Sequence, residues 1–279
     1  MHPLPLIASV TRWLQARQPD HPLRGLSRIS NLLARLLPAY RGVITFSDGT
    51  KMLLNSQQRA ERWLIFAGSY QPSVTTWLHR HLNSGAYCID AGANLGFYSL
   101  LMAQKVGSAG QVAVFEANPV LAARLRDQLT LNHFDQAQVV EKAVHDKADT
   151  LTFYIASDPG KSSIYADHAT VQGQVQVQAI TLDEFIEAAG WTRLDVIKMD
   201  IEGNDCYGLL GARQSLTRFR PAIIFEYSAS TPAEAAAAMI DMLSALRYRL
   251  SILRGDGTQT PFDWQTMTKD HVDVIAEPM

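Results

Sequence analysis

The stretch Tyr87-Cys-Ile-Asp-Ala-Gly-Ala-Asn-Leu-Gly-Phe-Tyr98 decides the fold. A short apolar run ends in an acid, turns through glycine and opens a helix. That is the layout of a nucleotide-cofactor loop at the carboxyl end of a first parallel strand. Asp90 selects among cofactors. A dinucleotide brings a pyrophosphate against this backbone, and a carboxylate just before the first glycine repels it. S-adenosylmethionine carries no phosphate, and the ammonium and sulfonium of its methionine end favour a carboxylate beside the turn. The glycines agree, because Gly92 and Gly96 flank Asn94 and do not make the G-x-G-x-x-G of a dinucleotide fingerprint. Taken alone, Asp90 also fits a turn or helix-capping residue.

The next segments extend the pattern. Gln111-Val-Ala-Val-Phe-Glu116 reads as a second strand ending in an acid, 20 residues after Gly96. A carboxylate there can accept both hydroxyls of an adenosine ribose. Asn118 and Pro119 form a helix cap and first-turn pair, with Asn118 also a candidate cofactor contact, and Leu121, Leu125 and Leu129 give the apolar stripe of the helix that follows. A third short strand, residues 137–141, leads into Lys142-Ala-Val-His-Asp146, where Ala143 and Val144 would meet an adenine edge. Glu116 suits NAD as well, so the discrimination between cofactors rests on Asp90 and Asn94.

Composition narrows the class. A chain of 279 residues with 47% apolar side chains can bury a full α/β core. A formal net charge of −2 gives no overall basic footprint for nucleic acid. The two cysteines, Cys88 and Cys206, fall inside expected core elements, which argues against a disulfide framework and for an intracellular enzyme. No window has the length of a membrane span, and the apolar N-terminus lacks a preceding cationic segment, so the expected compartment is the cytoplasm.

Within residues 1–41 two short amphipathic helices are expected, the second spaced as Leu26, Ile29, Leu33 and Leu36/Leu37. Six arginines (Arg12, Arg17, Arg24, Arg28, Arg35 and Arg41) face one acid, Asp20. The preferred reading is a helical cap packed on the core with solvated arginines. The other is a basic amphipathic leader on an anionic membrane surface. Residues 42–55 read as a hairpin turning at Asp48-Gly49.

From residue 57 helices and strands alternate, with helices at 57–66, 73–83, 96–106 and 119–132 and strands at 86–90, 111–116 and 137–141. The pattern predicts a parallel sheet covered on both faces. It breaks at 150–180, where Leu151–Ile155 and Val175–Gln178 look like strands around the polar loop Ser157–Ser163. Phe153, Tyr154, Tyr165 and His168 would form a sugar platform there or pack a lid. Thr181-Leu-Asp-Glu184 is a capping box. Strand 194–199, helices across 203–218, strand 222–226, a helix over 232–246 and strands near 248–253 and 271–276 complete the chain. The expected fold is a doubly wound, mostly parallel seven-stranded sheet with a C-terminal antiparallel hairpin and a small N-terminal helical cap. Residues 1–56 would form the extension and 57–279 the catalytic domain. Such a sheet resembles the Rossmann-like class I S-adenosylmethionine-dependent methyltransferase fold rather than a dehydrogenase.

A second constellation, Leu194-Asp-Val-Ile-Lys-Met-Asp-Ile-Glu-Gly203, sits at the end of the fourth strand, where a doubly wound sheet places its chemistry. Lys198, Asp200 and Glu202 arrive together in one loop. A hydroxyl nucleophile becomes reactive when a nearby carboxylate takes its proton, which makes these residues candidates for catalysis. Equally, Asp200 and Glu202 can orient the cofactor or cap the next helix, with Lys198 as their ion-pair partner. As magnesium ligands the two acids lack a third partner at any evident spacing.

The chain resembles the FkbM-type methyltransferases from about Trp63 to Tyr227. The resemblance is carried by Phe66-Ala-Gly-Ser-Tyr-Gln-Pro72, Asp90-Ala-Gly-Ala-Asn-Leu-Gly-Phe-Tyr98, Phe115-Glu-Ala-Asn-Pro119, Leu131-Asn132, Ser162-Ser163, Thr181-Leu-Asp183, Lys198-Met-Asp-Ile-Glu-Gly203 and Leu210-Gly-Ala212, in that order. It implies methyl transfer from S-adenosylmethionine, usually to a hydroxyl of a sugar, glycan or polyketide-like product. A lipid-linked acceptor fits that class as well. By position it implies cofactor contacts at Asp90, Gly92, Asn94, Gly96 and Glu116, and an acidic pair at Asp200 and Glu202. Two departures stand out. Gln71 occupies a position where the family commonly has glutamate, and Asn204-Asp205-Cys206 replaces an Ala-Glu-Leu run, a change expected to affect packing only. A nicotinamide oxidoreductase would need the phosphate-cradling loop that is missing, and a noncatalytic binding protein would not need the acidic loop at 198–203. Nucleic-acid methylation lacks an Asn/Asp-Pro-Pro-aromatic loop for an extruded base.

Overall fold

The computed structural model describes residues 3–16, 25–156, 162–164, 171–228, 231–267 and 271–279. Arg17, Asp20, Arg24, residues 157–161, Tyr165 and His168 lie outside the described residues.

Helices α1 (Leu4–Ala16) and α2 (Leu26–Leu36) precede the antiparallel hairpin β1 (Arg41–Thr45) and β2 (Lys51–Asn55), then α3 (Arg59–Ala67) and α4 (Pro72–His81). Leu4, Ala8, Leu26, Ile44, Met52 and Leu54 are buried in the same core as α3, α4 and the sheet, so the N-terminal elements cover apolar surface. Arg12 points inward, and its Nη1 donates to Ile65 O at 2.5 Å while Thr11 Oγ1 donates to Phe66 O at 2.8 Å. Both bonds satisfy carbonyls in the last turn of α3 that its own helix leaves open.

From β3 onward strands and helices alternate as expected. Strand β3 (Tyr87–Ala91) leads to α5 (Phe97–Val106), β4 (Gln111–Phe115) to α6 (Pro119–Asn132), and then to β5 (Ala137–Val140). Asn118 Oδ1 caps α6 by accepting from Val120 N at 3.0 Å. A smaller sheet of β6 (Ala143–Val144), β7 (Thr150–Ala156) and β8 (Val171–Ile180) follows, ordered β6-β8-β7. Helix α7 (Leu182–Ala188) opens on the reciprocal Thr181–Glu184 capping box. Then come β9 (Val196–Met199), α8 (Asp205–Leu210), α9 (Arg213–Phe219), β10 (Ala222–Tyr227), α10 (Ala233–Ala245), β11 (Tyr248–Leu253), β12 (Gln259–Pro261) and β13 (Val272–Pro278).

The main sheet is ordered β12-β11-β13-β10-β9-β3-β4-β5. Strands β10, β9, β3, β4 and β5 are parallel, and β13 inserts antiparallel between β10 and β11. The seven expected strands are all present. The structure adds an eighth, the three-residue edge strand β12, too short to announce itself in the sequence and ending in a proline that an edge tolerates. Side chains alternate across this sheet. Cys88, Val112, Val114, Val196, Ile224 and Ile275 enter the core under α4 and α5, while Ile89, Ala113, Phe115, Ile197, Ile223, Phe225 and Val274 enter the opposite one. Both faces are buried, which is why these strands read as continuous apolar runs.

Candidate active site

Parallel-sheet register brings the charged residues together. Asp90 on β3 pairs with Lys198 on β9, and Glu226 on β10 pairs with Asp273 on β13. Register and alternation put all four on one face, at the carboxyl ends of the parallel strands.

Gly92 turns the chain out of β3 with φ 77°, and a Cβ built on it would lie 1.9 Å from the carbonyl oxygen of Asp200. Only glycine permits the loops after β3 and β9 to approach so closely. Asp200 N donates to Ala91 O at 3.0 Å and locks that approach. Gly92 N and Ala93 N both donate to Phe115 O at 3.0 Å, tying the loop to the end of β4. There Glu116 is buried, with Oε2 accepting from Asn94 N at 2.8 Å and Oε1 from Asn118 N at 2.9 Å. Burial raises its pKa above the ordinary carboxylate value, opposed by these two backbone bonds.

A cavity opens beside this loop. Gly92, Asn94, Glu116, Ala143, Val144, Asp200 and Glu202 line it, joined by Phe153 of β7, by Ile164 and by Asn204. Asp90, Gly96, Asn118 and Lys198 are not on its wall. Gly96, at φ 88°, starts α5 against Leu125, and Asn118 is spent on capping α6. Asp90 is wholly buried beneath the loop, where Ser99 Oγ donates to its Oδ2 at 2.6 Å and Lys198 Nζ lies 3.4 Å from its Oδ1. The sequence reading set this carboxylate against the cofactor's cationic end. The structure gives it a lysine, because β3 is flanked by β9 on one side as well as by β4 on the other, and Lys198 of β9 stands in register with Asp90.

Lys198 also reaches Asp200 Oδ2 at 3.7 Å and lies 5.1 Å from the centroid of the Tyr98 ring. Burial alone lowers the pKa of its ammonium, but Asp90, Asp200 and Asp205 outweigh that and raise it. Lys198 therefore holds its proton and serves as counter-ion to the acids rather than as a base.

Two polar residues here, Asp273 and His271, were not singled out from the sequence. Asp273 is buried on β13, and Gln71 Nε2 donates to its Oδ1 and Oδ2 at 3.2 and 3.1 Å. Gln71 Oε1 accepts from Tyr98 OH at 3.1 Å. Burial, then Asp200 and Glu226, push the Asp273 carboxyl up to about 7. Glu226 Oε2 lies 3.0 Å from His271 Nδ1, and burial and Asp200 raise its pKa as well. Gln71, Glu226, His271 and Asp273 line a second cleft with Arg254. Asp200 lines the first cavity, and its charge raises the pKa of the acids on that second side.

Asp205 is more than a packing change. Its Oδ2 accepts from Ile201 N at 3.3 Å and its Oδ1 from Glu226 N at 3.1 Å, which joins the loop after β9 to β10. Asn204 Oδ1 is buried on the cavity side and finds no hydrogen-bond partner among the described residues. A lone acid inside the apolar run Val272-Asp-Val-Ile was the available signal for Asp273. Its partner needed the sheet order. Among the described residues no three histidine, cysteine or acidic side chains are grouped to hold a metal ion.

The chain is similar to several known proteins. The 2-O-methyltransferase NoeI of Sinorhizobium fredii (strain NBRC 101917 / NGR234) is 24% identical over 197 residues, 63% of this chain and 79% of the relative. Methyltransferase 1 of Beauveria bassiana (strain ARSEF 2860) is 26% identical over 146 residues, 45% of this chain and 58% of the relative. Among solved structures, an FkbM methyltransferase from Methylobacillus flagellatus KT matches with a TM-score of 0.45 at 14% identity, over 78% of this chain and 53% of that one. An S-adenosylmethionine-dependent O-methyltransferase from Thermotoga maritima matches with a TM-score of 0.44 at 12% identity, over 86% and 78%. The family described as Methyltransferase FkbM domain matches residues 90–250, more than half of the chain, from the acid that closes β3 into β11. The chain belongs to the FkbM methyltransferase family.

Proposed function

We propose that the chain transfers a methyl group from S-adenosylmethionine to a hydroxyl of a sugar, glycan or natural-product acceptor. The observation that carries this reading is the state of Glu116 on the cavity wall. A carboxylate offers about four acceptor positions, and one backbone N–H occupies each oxygen, leaving capacity for two more donors. Two vicinal ribose hydroxyls match that capacity. The unpartnered Asn204 Oδ1 awaits a donor on the same wall, and Ala143, Val144, Phe153 and Ile164 offer an apolar slot for a base. When bound, S-adenosylmethionine supplies an electrophilic methyl on a positively charged sulfur.

In this reading the chain's own residues do the rest. Glu116, Asn94 and Gly92 hold and orient the nucleoside end. Asp200, on the cavity wall, accepts the hydrogen bond of the acceptor hydroxyl and takes its proton as the oxygen gains the methyl. Lys198 fixes Asp200 through the ion pair. Glu202, on the same wall, orients the cofactor or shares the work of Asp200. The second cleft, with Glu226, His271 and Asp273, receives the acceptor. An oxygen acceptor is supported by the similarity to NoeI, a 2-O-methyltransferase.

The catalytic domain is taken as residues 57–279 with 1–56 as an extension packed on it. Among the described residues no helix is long and apolar enough to cross a membrane. Cys88 and Cys206 are buried free thiols, which supports a reducing compartment such as the cytoplasm. The test is methyl transfer from radiolabelled S-adenosylmethionine to a panel of hydroxyl-bearing glycans and small alcohols. Label appearing only on nitrogen acceptors would overturn the choice of a hydroxyl.

A further inference from the structure

Helix α1 is apolar on two sides. Leu4 and Ala8 face the core, whereas Leu6, Val10, Trp13 and Leu14 are exposed, Leu6 by 73% and Trp13 by 55%. The exposed set has the spacing i, i+4, i+7, i+8 of a continuous helical stripe. Helix α2 repeats the arrangement, with Leu26 buried and Ile29, Leu32 and Leu36 exposed, Leu36 by 69%. Arg28 and Arg35 are exposed too, and at i and i+7 they flank Leu32 on the same side of the helix. Of eleven exposed large apolar residues among the described ones, seven lie on these two helices. Both helices pack on α3. Single exposed leucines need no account, but a run of this kind marks an interaction surface.

We propose that the outer faces of α1 and α2 seat the protein on an anionic lipid surface. Charge selects this occupant. Residues 1–41 carry six arginines and the single acid Asp20, and only Arg12 among the described ones is drawn inward, to Ile65 O and over the Phe46 ring. A second copy docking face to face would set Arg28 and Arg35 against their own kind, and neither α1 nor α2 carries an acid to complement them. Anionic headgroups neutralise them, while the leucine, valine, isoleucine and tryptophan side chains enter the headgroup–acyl boundary. The inner faces still pack as a cap, so the helices work in both directions. The inference is independent of the methyl acceptor.

The test is flotation of the full chain with vesicles of phosphatidylcholine alone and with phosphatidylglycerol added. The expected result is binding to the anionic vesicles, weakened by salt. Each arginine near the surface contributes roughly five-fold in affinity, so Arg28→Gln with Arg35→Gln should weaken binding on the order of thirty-fold. Leu32→Ser with Leu36→Ser, or Leu6→Ser with Val10→Ser, should remove most binding without lowering the melting temperature, since the replaced side chains are exposed. If one pair misfolds, the pair on the other helix gives the same readout. The inference is overturned by absence of binding to either vesicle. It is equally overturned by binding indifferent to both kinds of substitution, or by a dimer in light scattering that the serine pairs dissolve.

Discussion

Replacing Asp273 by asparagine should stabilise the protein at pH 8 and leave it nearly unchanged at pH 4. Asp273 is buried beside Asp200 and Glu226, and its carboxyl is pushed up from 3.8 to about 7. An acid raised in the folded state binds its proton more tightly there than in the unfolded chain. Its stabilising contribution is therefore complete below pH 3.8 and is lost progressively as pH rises towards 7. A shift from 3.8 to about 7 corresponds to an upper bound of about 4 kcal/mol. Part of this will be offset, because asparagine keeps one oxygen for the Gln71 amide while Lys198 loses a distant counter-charge. Urea unfolding of both proteins at pH 4, 6 and 8 reads the difference directly. An equal difference at all three values, or an asparagine protein weaker than wild type at pH 8, would refute the placement of Asp273 in a buried acidic cluster.

Three other changes probe the site. Glu116→Ala removes an acceptor proposed to hold two ribose hydroxyls, each bond to a charged group contributing about 1.5–3 kcal/mol, so S-adenosylhomocysteine affinity should fall by at least about 100-fold by calorimetry. Asp200→Asn keeps the shape and removes the base. Turnover should drop roughly 10²–10⁴-fold while cofactor affinity stays near wild type, and loss of cofactor binding instead would reassign Asp200 to the cofactor site. Gly92→Ala introduces a Cβ 1.9 Å from the Asp200 carbonyl at φ 77°, so thermal melting should show a loss of stability of more than about 1–3 kcal/mol, together with lost binding.

Much of this fold was legible in the sequence because its strands are buried on both faces and its helices carry their own punctuation. Asn118-Pro119 and the Thr181–Glu184 box mark helix starts that the structure places at Pro119 and Leu182. The glycine turn after Asp90 located the cavity. What could not be read were contacts set by sheet order. Asp90 lies beside Lys198 only because β3 is flanked by β9, more than a hundred residues later. Likewise, Asp273 reaches Glu226 because β13 inserts between β10 and β11, and no local periodicity announces that insertion. Gln71 looked like a bare departure from the family pattern, yet its amide spans Tyr98 and Asp273, one partner in each direction. The charge pattern of the N-terminal helices was visible. Which of their two apolar faces is buried depends on where α3 lies.

The central claim is that the cavity beside Gly92, Asn94 and Glu116 is built for an adenosine carrying no pyrophosphate. Calorimetric titration of the wild-type protein with S-adenosylhomocysteine and, separately, with NAD tests it most directly. The account predicts saturable one-site binding of S-adenosylhomocysteine and no detectable heat from NAD. Binding of NAD in the same range, with none of S-adenosylhomocysteine, would contradict it.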